Sequence, residues 1–400
     1  MSTTKRELWL LSDGDGIGGA ESRMIKVAAK ISEVTDFRQI NILVTEELYQ
    51  SYNNHKSLNH LLSNKKFKFV IYKDPLQKLW NLFFNLAQSL DINKKAVERY
   101  LIKKRSWISF LRKHVKKNDV IHCYMGDNAR NGSFIFSQKA ENKVIIEITN
   151  NRYLDRLVHQ FKILNQKGVS HKNCIIRSVS ERVHKNLTSG LNEDWFKKRD
   201  IDIGFYSGPF IESKKSLDNS EKERVIIFPH RFVGPKNGVL FSKVIKELLQ
   251  QRKLEGWRIL FRGIGSDETE IKQNLAPWID SGQVEVGYSH NLYVDFQKSL
   301  IAVSLITTGS YPSQSLFEAM QAGCMLLISD SGNSRKEFSH PDIQFTGLDT
   351  ESIKRNLLHL VNKDRSEFQK IEKSMKEYFN WFIENRNQLN DVIDLYHIKQ

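Results

Sequence analysis

The sequence predicts two successive α/β halves, each built on a parallel sheet. Ten short apolar runs of the kind that form buried strands alternate with segments of helical periodicity along the 400 residues. This alternation is typical of parallel sheets, because a parallel pair of strands needs a crossover connection that is usually a helix. Five runs precede a break in the pattern and five follow it, and the length alone favours two or three domains.

The first five runs are expected to form the sheet of the N-terminal half. They are LWLLS at 8–12, INILVT at 40–45, FKFVIY at 67–72, DVIHCY at 119–124 and KVIIEIT at 143–149. The other five are RVIIFP at 224–229, WRILFRG at 257–263, VEVGY at 284–288, LIAVSLIT at 300–307 and MLLISD at 325–330. Helices are predicted after the first and sixth runs, at 22–31 and 239–249.

The break between the halves falls at 201–223, where periodicity is lost and Gly, Pro, Ser and charge accumulate. Such a composition is typical of an exposed linker, so a hinge is predicted near 205–220. The last segment, 367–400, has helical periodicity. Its apolar positions are Phe379, Trp381, Phe382, Leu389, Val392 and Leu395.

The composition is that of a folded, basic protein. Sixty-one Lys and Arg against 46 Asp and Glu give a net charge of +15, with 40% hydrophobic and 27% charged residues. The charge favours acidic partners such as nucleotide phosphates or lipid head groups. Three scattered cysteines without CxxC spacing indicate neither a disulfide framework nor a zinc site and favour the cytosol. The apolar run at 8–11 is too short for a signal peptide or a membrane span.

The span from Lys65 to Lys117 carries fifteen Lys and Arg against three acidic residues. Aromatic residues are interleaved with these charges, among them Trp80, Phe83, Phe84, Trp107 and Phe110. One interpretation is a surface that rests on an anionic bilayer. The other is that the aromatic side chains are core and the lysines a solvated face. Nucleic acid is disfavoured, since no RNP, KH or helix-turn-helix pattern accompanies the charge.

A glycine-rich loop, GIGGAE at 16–21, follows the first strand and opens a helix. Glycines there let backbone N–H groups approach a phosphate or sugar at a helix N-terminus. The spacing does not match GxGxxG, which disfavours a nicotinamide cofactor. A simple tight turn is the alternative.

Two later segments combine into a predicted nucleotide site. HRFVGPKNG at 230–238 places Arg231 and Lys236 on a loop after a strand, where they can clamp a diphosphate. TTGSYPSQSLFEAMQAG at 307–323 follows another strand with a polar loop and a short helix that carries Glu318. An acidic residue in the early turns of a helix can accept ribose hydroxyls while the loop and the helix N-terminus take phosphate.

Taken together, the motifs resemble a known family. GGAE, Arg-x4-Lys-Asn-Gly, WRILFRGIGS, VGYSHNLYVDFQKSLIAVSL, EAMQAG and the terminal YFNWFIENRNQLNDVIDLY are similar to those of GT-B glycosyltransferases of the large retaining family 4. The resemblance implies two Rossmann-like domains facing a cleft, with acceptor binding at 1–205 and donor binding at 206–375. It also implies that a C-terminal helix, 376–400, crosses back onto the N-terminal domain.

The resemblance assigns roles to individual residues. Arg231 and Lys236 bind the donor diphosphate and stabilise the leaving group, without a metal or other cofactor. Glu318 hydrogen-bonds the ribose. The remaining donor-side positions are Gly18 and Gly19 against phosphates or sugar, the backbone of Ser315, Leu316 and Phe317 around the phosphates, and Gly263 and Gly265 lining the base pocket.

Two positions depart from the family pattern. The family commonly has two glutamates separated by seven residues, and the first, which contacts the donor sugar, is Ser310 here. A histidine near the end of the fourth strand falls at Tyr124, two residues after His122. His122 is either an acceptor-side residue or a core histidine. Asp15 and Asp127 are further polar candidates on the acceptor side.

The expected function is transfer of a sugar from a nucleotide-diphosphate sugar such as a UDP-sugar, with retention, to a cell-surface glycan, lipid-linked or polymer acceptor. Capsule, lipopolysaccharide and teichoic-acid synthesis all fit, in the cytoplasm or on the inner face of the membrane. Three alternatives stay open: a GT-B enzyme with other leaving chemistry, such as an epimerase or phosphorylase, a non-catalytic GT-B partner subunit, which Ser310 favours, and a nucleic-acid-binding protein.

Overall fold

The structure is a computed structural model. It describes residues 6–14, 17, 19–54, 58–72, 103–125, 127–137, 141–148, 158, 162, 171–206, 221–307, 314–332, 334–386 and 388–396. The chain divides into two compact units. Unit 1 comprises Met1–Ser207 with Leu389–Gln400, and unit 2 comprises Gly208–Gln388.

Unit 1 holds seven strands and eight helices among its described residues. The strands are β1 (Leu8–Ser12), β2 (Ile40–Val44), β3 (Phe67–Ile71), β4 (Val120–Met125), β5 (Lys143–Ile148), β6 (Cys174–Ser178) and β7 (Asp202–Phe205). The helices are α1 (Gly19–Val34), α2 (Glu46–Asn53), α3 (Asn59–Leu62), α4 (Lys103–His114), α5 (Asp127–Ser137), α6 (Glu181–Gly190), α7 (Glu193–Lys197) and, at the end of the chain, α15 (Gln388–Tyr396).

The strands of unit 1 form one parallel sheet in the order β3-β2-β1-β4-β5-β6-β7. Every residue of β1 and β2 is buried, which explains why these strands are almost entirely apolar in sequence. The order reverses between β1 and β4, which pair directly through Leu8 with Val120 and Leu10 with His122. In open α/β sheets such a reversal marks the edge where ligands bind.

Unit 2 repeats this plan with six strands. They are β8 (Glu223–Phe228), β9 (Arg258–Arg262), β10 (Val284–Gly287), β11 (Ser299–Ser304), β12 (Met325–Ser329) and β13 (Gln344–Thr346). The helices are α8 (Gly238–Gln250), α9 (Glu268–Asp280), α10 (Leu292–Lys298), α11 (Gln314–Gln321), α12 (Ser334–Glu337), α13 (Thr350–Val361) and α14 (Arg365–Arg386), with a short 3₁₀ turn at Gly234–Lys236.

The sheet of unit 2 runs in the order β10-β9-β8-β11-β12-β13, again with all strands parallel. The order reverses between β8 and β11, which pair through Ile226 with Ile301 and Ile227 with Ala302. The loops that leave β8 and β11 at their carboxyl ends are therefore neighbours. These are the two loops on which the sequence placed the basic clamp and the polar segment before Glu318.

All ten predicted strands are present, and three further strands were missed. In β6 buried and half-buried residues alternate, so it lacks a continuous apolar run. Strand β13 has only three residues. Strand β7 lies at the edge of its sheet with exposed ends, and it occupies the start of the segment 201–223 that the sequence presented as a linker. Residues 207–220 lie outside the described part of the chain.

The C-terminal segment is two helices rather than the single helix predicted at 367–400. Phe379 and Phe382 of α14 are buried in the core of unit 2, so residues 376–386 belong to that unit and not to a returning helix. The segment that belongs to unit 1 begins at Leu389. Trp381, predicted to face a core, is 44% exposed.

Two aromatic residues of the basic span pack in or against the core of unit 1. Trp107 is 1% exposed and stacks on Tyr72 with ring centroids 4.8 Å apart. Phe110 packs edge-on against Trp9. The interpretation of these two side chains as core is therefore correct, while Trp80, Phe83 and Phe84 lie outside the described residues. Among the helices that the structure describes, none combines the length and the apolar character that crossing a bilayer requires.

Gly323 gives a test of the packing in unit 2. It follows α11 with a φ of 76°, and a Cβ there would lie 2.5 Å from Cγ of Glu372 on α14. We expect Gly323→Ala to lower the free energy of unfolding in urea through backbone strain and overpacking. Gly282→Ala is the matched control, since Gly282 has a φ of 77° and open space around it. The loss at Gly323 should exceed that at Gly282 by at least ~1 kcal/mol, and equal losses would contradict the packing.

Candidate active site

The candidate site of unit 2 lies where the sheet order reverses. The loop 230–237 leaves β8, and the segment beginning at 305 leaves β11 beside it. Both loops start at the carboxyl ends of parallel strands, the edge at which doubly wound sheets bind ligands. The topology thus brings the predicted clamp and the polar segment to one edge of one sheet.

The loop that carries Arg231 is packed against the turn after β9. The backbone N–H of Phe232 donates to Ile264 O at 2.9 Å, and that of Asp267 donates to Phe232 O at 3.0 Å. A Cβ at Gly263 would lie 2.0 Å from His230 O, and one at Gly265 would lie 2.1 Å from Phe232 O. These glycines are therefore required for the close approach of two backbones, and their role at a base pocket stays a prediction.

The two basic residues of the loop have different surroundings. Arg231 is exposed, whereas Lys236 ends the 3₁₀ turn in a half-buried position. The pKa of Lys236 is lowered to about 8, mainly by burial and to a smaller extent by the positive charge of Arg231. His230 is buried with its Nε2 2.8 Å from Ser304 Oγ, and burial together with the Lys236 charge lowers its pKa to about 3. His230 is therefore neutral at physiological pH.

The helix α11 supplies the second part of the candidate site. Ser315, Leu316 and Phe317 lie in its first turn, where backbone N–H groups lack acceptors within the helix. The side chains of Leu316 and Phe317 are in the core, so only their backbone can serve a ligand. Glu318 is 7% exposed. The pKa of Tyr293 on α10 is raised mainly by burial, and the negative charge of Glu318 adds to this effect. Ser310 lies outside the described residues.

Unit 1 holds the donor-side candidates Gly18 and Gly19 and the acceptor-side candidates Asp15, His122, Tyr124 and Asp127. Gly19 is the first residue of α1 and Asp127 the first of α5, while Asp15 and Gly18 lie outside the described residues. The Tyr124 side chain is fully buried. It therefore lies in the interior rather than on a surface that faces a substrate.

His122 is also fully buried, as part of a polar cluster. Its Nε2 lies 3.1 Å from Glu147 Oε1 and its Nδ1 lies 2.5 Å from Tyr396 Oη. A carboxylate only accepts, so Nε2 carries the proton and Tyr396 donates to Nδ1. Burial lowers the pKa of His122. His122 is therefore a core histidine, and both of its ring nitrogens form hydrogen bonds within unit 1.

Glu147 is the centre of that cluster. Arg23 on α1 donates to both carboxylate oxygens, at 2.5 and 2.8 Å, and Tyr206 Oη donates to Oε1 at 2.7 Å. Burial by itself raises the pKa of Glu147, but the Arg23 cation and the His122 hydrogen bond lower it to about 2. The carboxylate is therefore ionised and paired inside the unit.

Sequence reasoning missed several of these residues. The cluster of Arg23, Glu147, Tyr206 and Tyr396 had one signal, the glutamate inside the apolar run KVIIEI, because a buried acid needs a partner. Asn237, which lies between Lys236 and α8, had a weaker signal. Asn directly before Gly at the start of a helix is a residue type that tolerates a left-handed conformation.

Comparison with protein-family models and with curated proteins gave no match. Solved structures do match over nearly the whole chain. A variant of TarM from S. aureus, crystallised with fondaparinux, alpha-GlcNAc-glycerol and UDP, superposes with a TM-score of 0.70 at 12% identity, covering 99% of this chain and 100% of that one. HepE from Anabaena in complex with UDP-glucose gives 0.66 at 12% identity, covering 97% and 98%.

A glycosyltransferase from Rickettsia africae gives a TM-score of 0.64 at 12% identity, covering 98% of both chains. These structures have the GT-B fold, and the two parallel α/β units described above match it. The predicted fold class is confirmed. At this level of identity the likeness establishes the fold, and the activity is inferred from the site.

The buried ion pair of unit 1 yields a stability prediction. Glu147→Gln leaves Arg23, whose side chain is 11% exposed, without its counter-charge, so we expect a loss of roughly 3–5 kcal/mol in the free energy of unfolding. Tyr396→Phe, which removes one hydrogen bond, should cost about 1 kcal/mol.

The matched control is Glu285→Gln in unit 2. Glu285 also pairs with two arginines, Arg258 and Arg262, but its side chain is 38% exposed. Its loss should stay below about 1 kcal/mol because solvent screens the pairs. If Glu147→Gln were no more destabilising than this control in urea unfolding, the pairing of Glu147 with Arg23 would not stabilise unit 1.

Proposed function

We propose that the protein is a glycosyltransferase that moves a sugar from a UDP-sugar to a glycan or lipid-linked acceptor. The observation that carries the proposal is the pairing of β8 with β11 at the strand-order reversal of unit 2, because the loop with Arg231 and Lys236 follows the first strand and the segment that leads to α11 follows the second. Two cations and a helix N-terminus at one sheet edge suit a diphosphate. The GT-B fold of the chain supports sugar transfer as the reaction that uses it.

In the proposed reaction the two cations stabilise the leaving nucleotide. Negative charge develops on the diphosphate as the bond to the sugar breaks, and fixed positive groups lower the energy of that state. The Arg231 guanidinium is suited to two parallel hydrogen bonds with phosphate oxygens, and Lys236 adds charge in a half-buried position. Glu318 accepts hydrogen bonds from the ribose. These groups need no metal ion for leaving-group stabilisation.

The remaining features of the proposal come from the family resemblance. The acceptor hydroxyl attacks from the face that the nucleotide leaves, which retains the anomeric configuration. The acceptor is a cell-surface glycan, and its class is supported by a solved neighbour crystallised with alpha-GlcNAc-glycerol. The exposed Arg112 and Lys113 on α4 suit contact with an anionic membrane surface.

Nucleotide binding is the first test. We expect UDP and a UDP-sugar, in a panel with GDP, ADP and CMP, to raise the thermal midpoint, since ligand at 100 times its dissociation constant adds ~2.7 kcal/mol of stability. Arg231→Ala should abolish the shift, and Arg231→Ala and Lys236→Ala should each lower the transfer rate more than about tenfold.

Arg258→Ala is the matched control for the arginine substitution. Arg258 is the first residue of β9, so it lies at the amino end of that strand, whereas the candidate site lies at the carboxyl ends. It pairs with Glu223 and Glu285. It should bind UDP as the wild type does. A shift that persists in Arg231→Ala would remove this arginine from the site, and no shift with any nucleotide would favour the non-catalytic partner.

The Lys236 pKa predicts a pH dependence of binding. A pKa of about 8 means that Lys236 loses its charge as the pH rises through 8 in the free protein, while a bound diphosphate favours the charged form. Affinity for UDP should therefore weaken above pH 8, by up to about tenfold per pH unit. Calorimetry at pH 8 in two buffers should show uptake of about half a proton.

Lys236→Arg separates this titration from other effects of pH. The guanidinium stays charged throughout the range, while the neighbouring His230 remains neutral in both proteins. The profile of Lys236→Arg should be flat between pH 7 and about 9.5. A wild-type profile equally flat, or the same bend in both proteins, would show that Lys236 is not the titrating group.

A further inference from the structure

Asn237 connects the basic loop to the segment that leaves the neighbouring strand. It lies between the 3₁₀ turn Gly234–Lys236 and α8, with φ 57° and ψ 33°. Asn and Gly reach this left-handed region more easily than other residues. In this conformation its Nδ2 donates to Leu305 O at 2.6 Å and to Thr307 Oγ1 at 2.7 Å.

A backbone hydrogen bond joins the same two segments. The N–H of Thr307 donates to Pro235 O at 3.0 Å, so three hydrogen bonds link residues 235–237 to residues 305–307. On its other side the segment 305–307 is held by β12, because Ile306 O accepts from Ser329 Oγ at 2.9 Å and from Ser331 Oγ at 2.5 Å. Asn237 therefore ties the basic loop to a segment that is itself fixed.

We propose that Asn237 is a positioning residue that sets the place of Lys236 relative to the chain after β11. Lys236 is the residue directly before Asn237, and the chain after Thr307 leads to Ser315–Phe317 at the start of α11. The inference rests on the proposed function: Asn237 would fix the position of Lys236 relative to residues 305–307, the start of the segment that leads to α11. A displacement of about 1 Å in such a site can cost a hundredfold in rate.

The experiment separates the two hydrogen bonds of the Asn237 amide. Asn237→Gly keeps access to positive φ and removes both, whereas Thr307→Val removes only one acceptor at an exposed position and Thr307→Ser retains it. Asn274→Ala is the matched control, since Asn274 Nδ2 donates to Ser242 Oγ elsewhere in unit 2. Thermal midpoints of the ligand-free proteins verify that each variant folds.

The first readout is the titration of Lys236 in the ligand-free full chain, followed by NMR of ¹³C-methylated lysines and assigned with Lys236→Arg. The wild-type midpoint should lie at about 8 because Lys236 is held half-buried beside Arg231. Asn237→Gly and Thr307→Val should raise it toward the ordinary lysine value, since a released loop hydrates the ammonium group. Thr307→Ser and Asn274→Ala should titrate as the wild type does.

The second readout is the dissociation constant of UDP. Asn237→Gly should raise it about tenfold, and Thr307→Val should raise it less. The double variant should be no weaker than Asn237→Gly alone, because the bond between the two side chains is already lost. Asn274→Ala should leave the constant unchanged.

The two readouts distinguish this inference from the proposed function. If the wild type binds UDP while Asn237→Gly changes neither the Lys236 midpoint nor the dissociation constant, the inference is overturned and the function stands. If no protein binds UDP but the midpoint moves in Asn237→Gly and Thr307→Val, the positioning is supported and the function fails. A Thr307→Ser variant that behaves as Thr307→Val would exclude the hydroxyl as partner and overturn the inference.

Discussion

The position of β8 between β9 and β11 is the constraint on which the candidate site depends. The chain runs outward from β8 to β9 and β10 and then returns to pair β11 on the other side. The loop after β8 consequently has a neighbour on each side. One end, with Arg231, packs against the glycine turn at 263–265, and the other end, with Lys236 and Asn237, is bonded to residues 305–307. Strand pairing thus fixes both cations through their backbones, before any ligand is present.

Unit 1 has the same reversal in strand order, but it also contains a buried network of polar side chains that bond to one another. Glu147 on β5 accepts from Arg23 on α1 and from Tyr206, the last described residue before the chain passes to unit 2. His122 on β4 accepts from Tyr396 in the segment that belongs to unit 1 again. The end of the first segment of unit 1, at Tyr206, and its C-terminal segment, through Tyr396, therefore meet at one buried carboxylate and imidazole. A buried pair adds little net stability, but it makes the loss of either partner costly, so it specifies where both segments attach.

Features that repeat along the chain could be predicted from the sequence, whereas features that depend on contacts between distant segments could not. Buried parallel strands are continuous apolar runs, and for that reason all ten runs were recognised, whereas the edge strand β7 and the three-residue β13 have no such run. Arg231 and Lys236 could be proposed as a clamp from residue type and spacing alone. The need for glycine at 263 and 265 depends on His230 and Phe232, more than 30 residues away. Nothing local to WRILFRGIGS reveals that approach.

The electrostatics of the candidate site support the proposal that it binds an anion. Arg231 and Lys236 have the same charge, and their proximity with the burial of Lys236 lowers its pKa to about 8. The fold holds this unfavourable arrangement in place through backbone hydrogen bonds and Asn237, while His230 stays neutral and adds no third charge. A dianionic diphosphate relieves the repulsion that the free protein maintains. Water screens the exposed Arg231 more than the half-buried Lys236. In the proposed reaction the arginine is therefore suited to capture of the phosphate, and the lysine to stabilisation of the charge that develops as the nucleotide leaves.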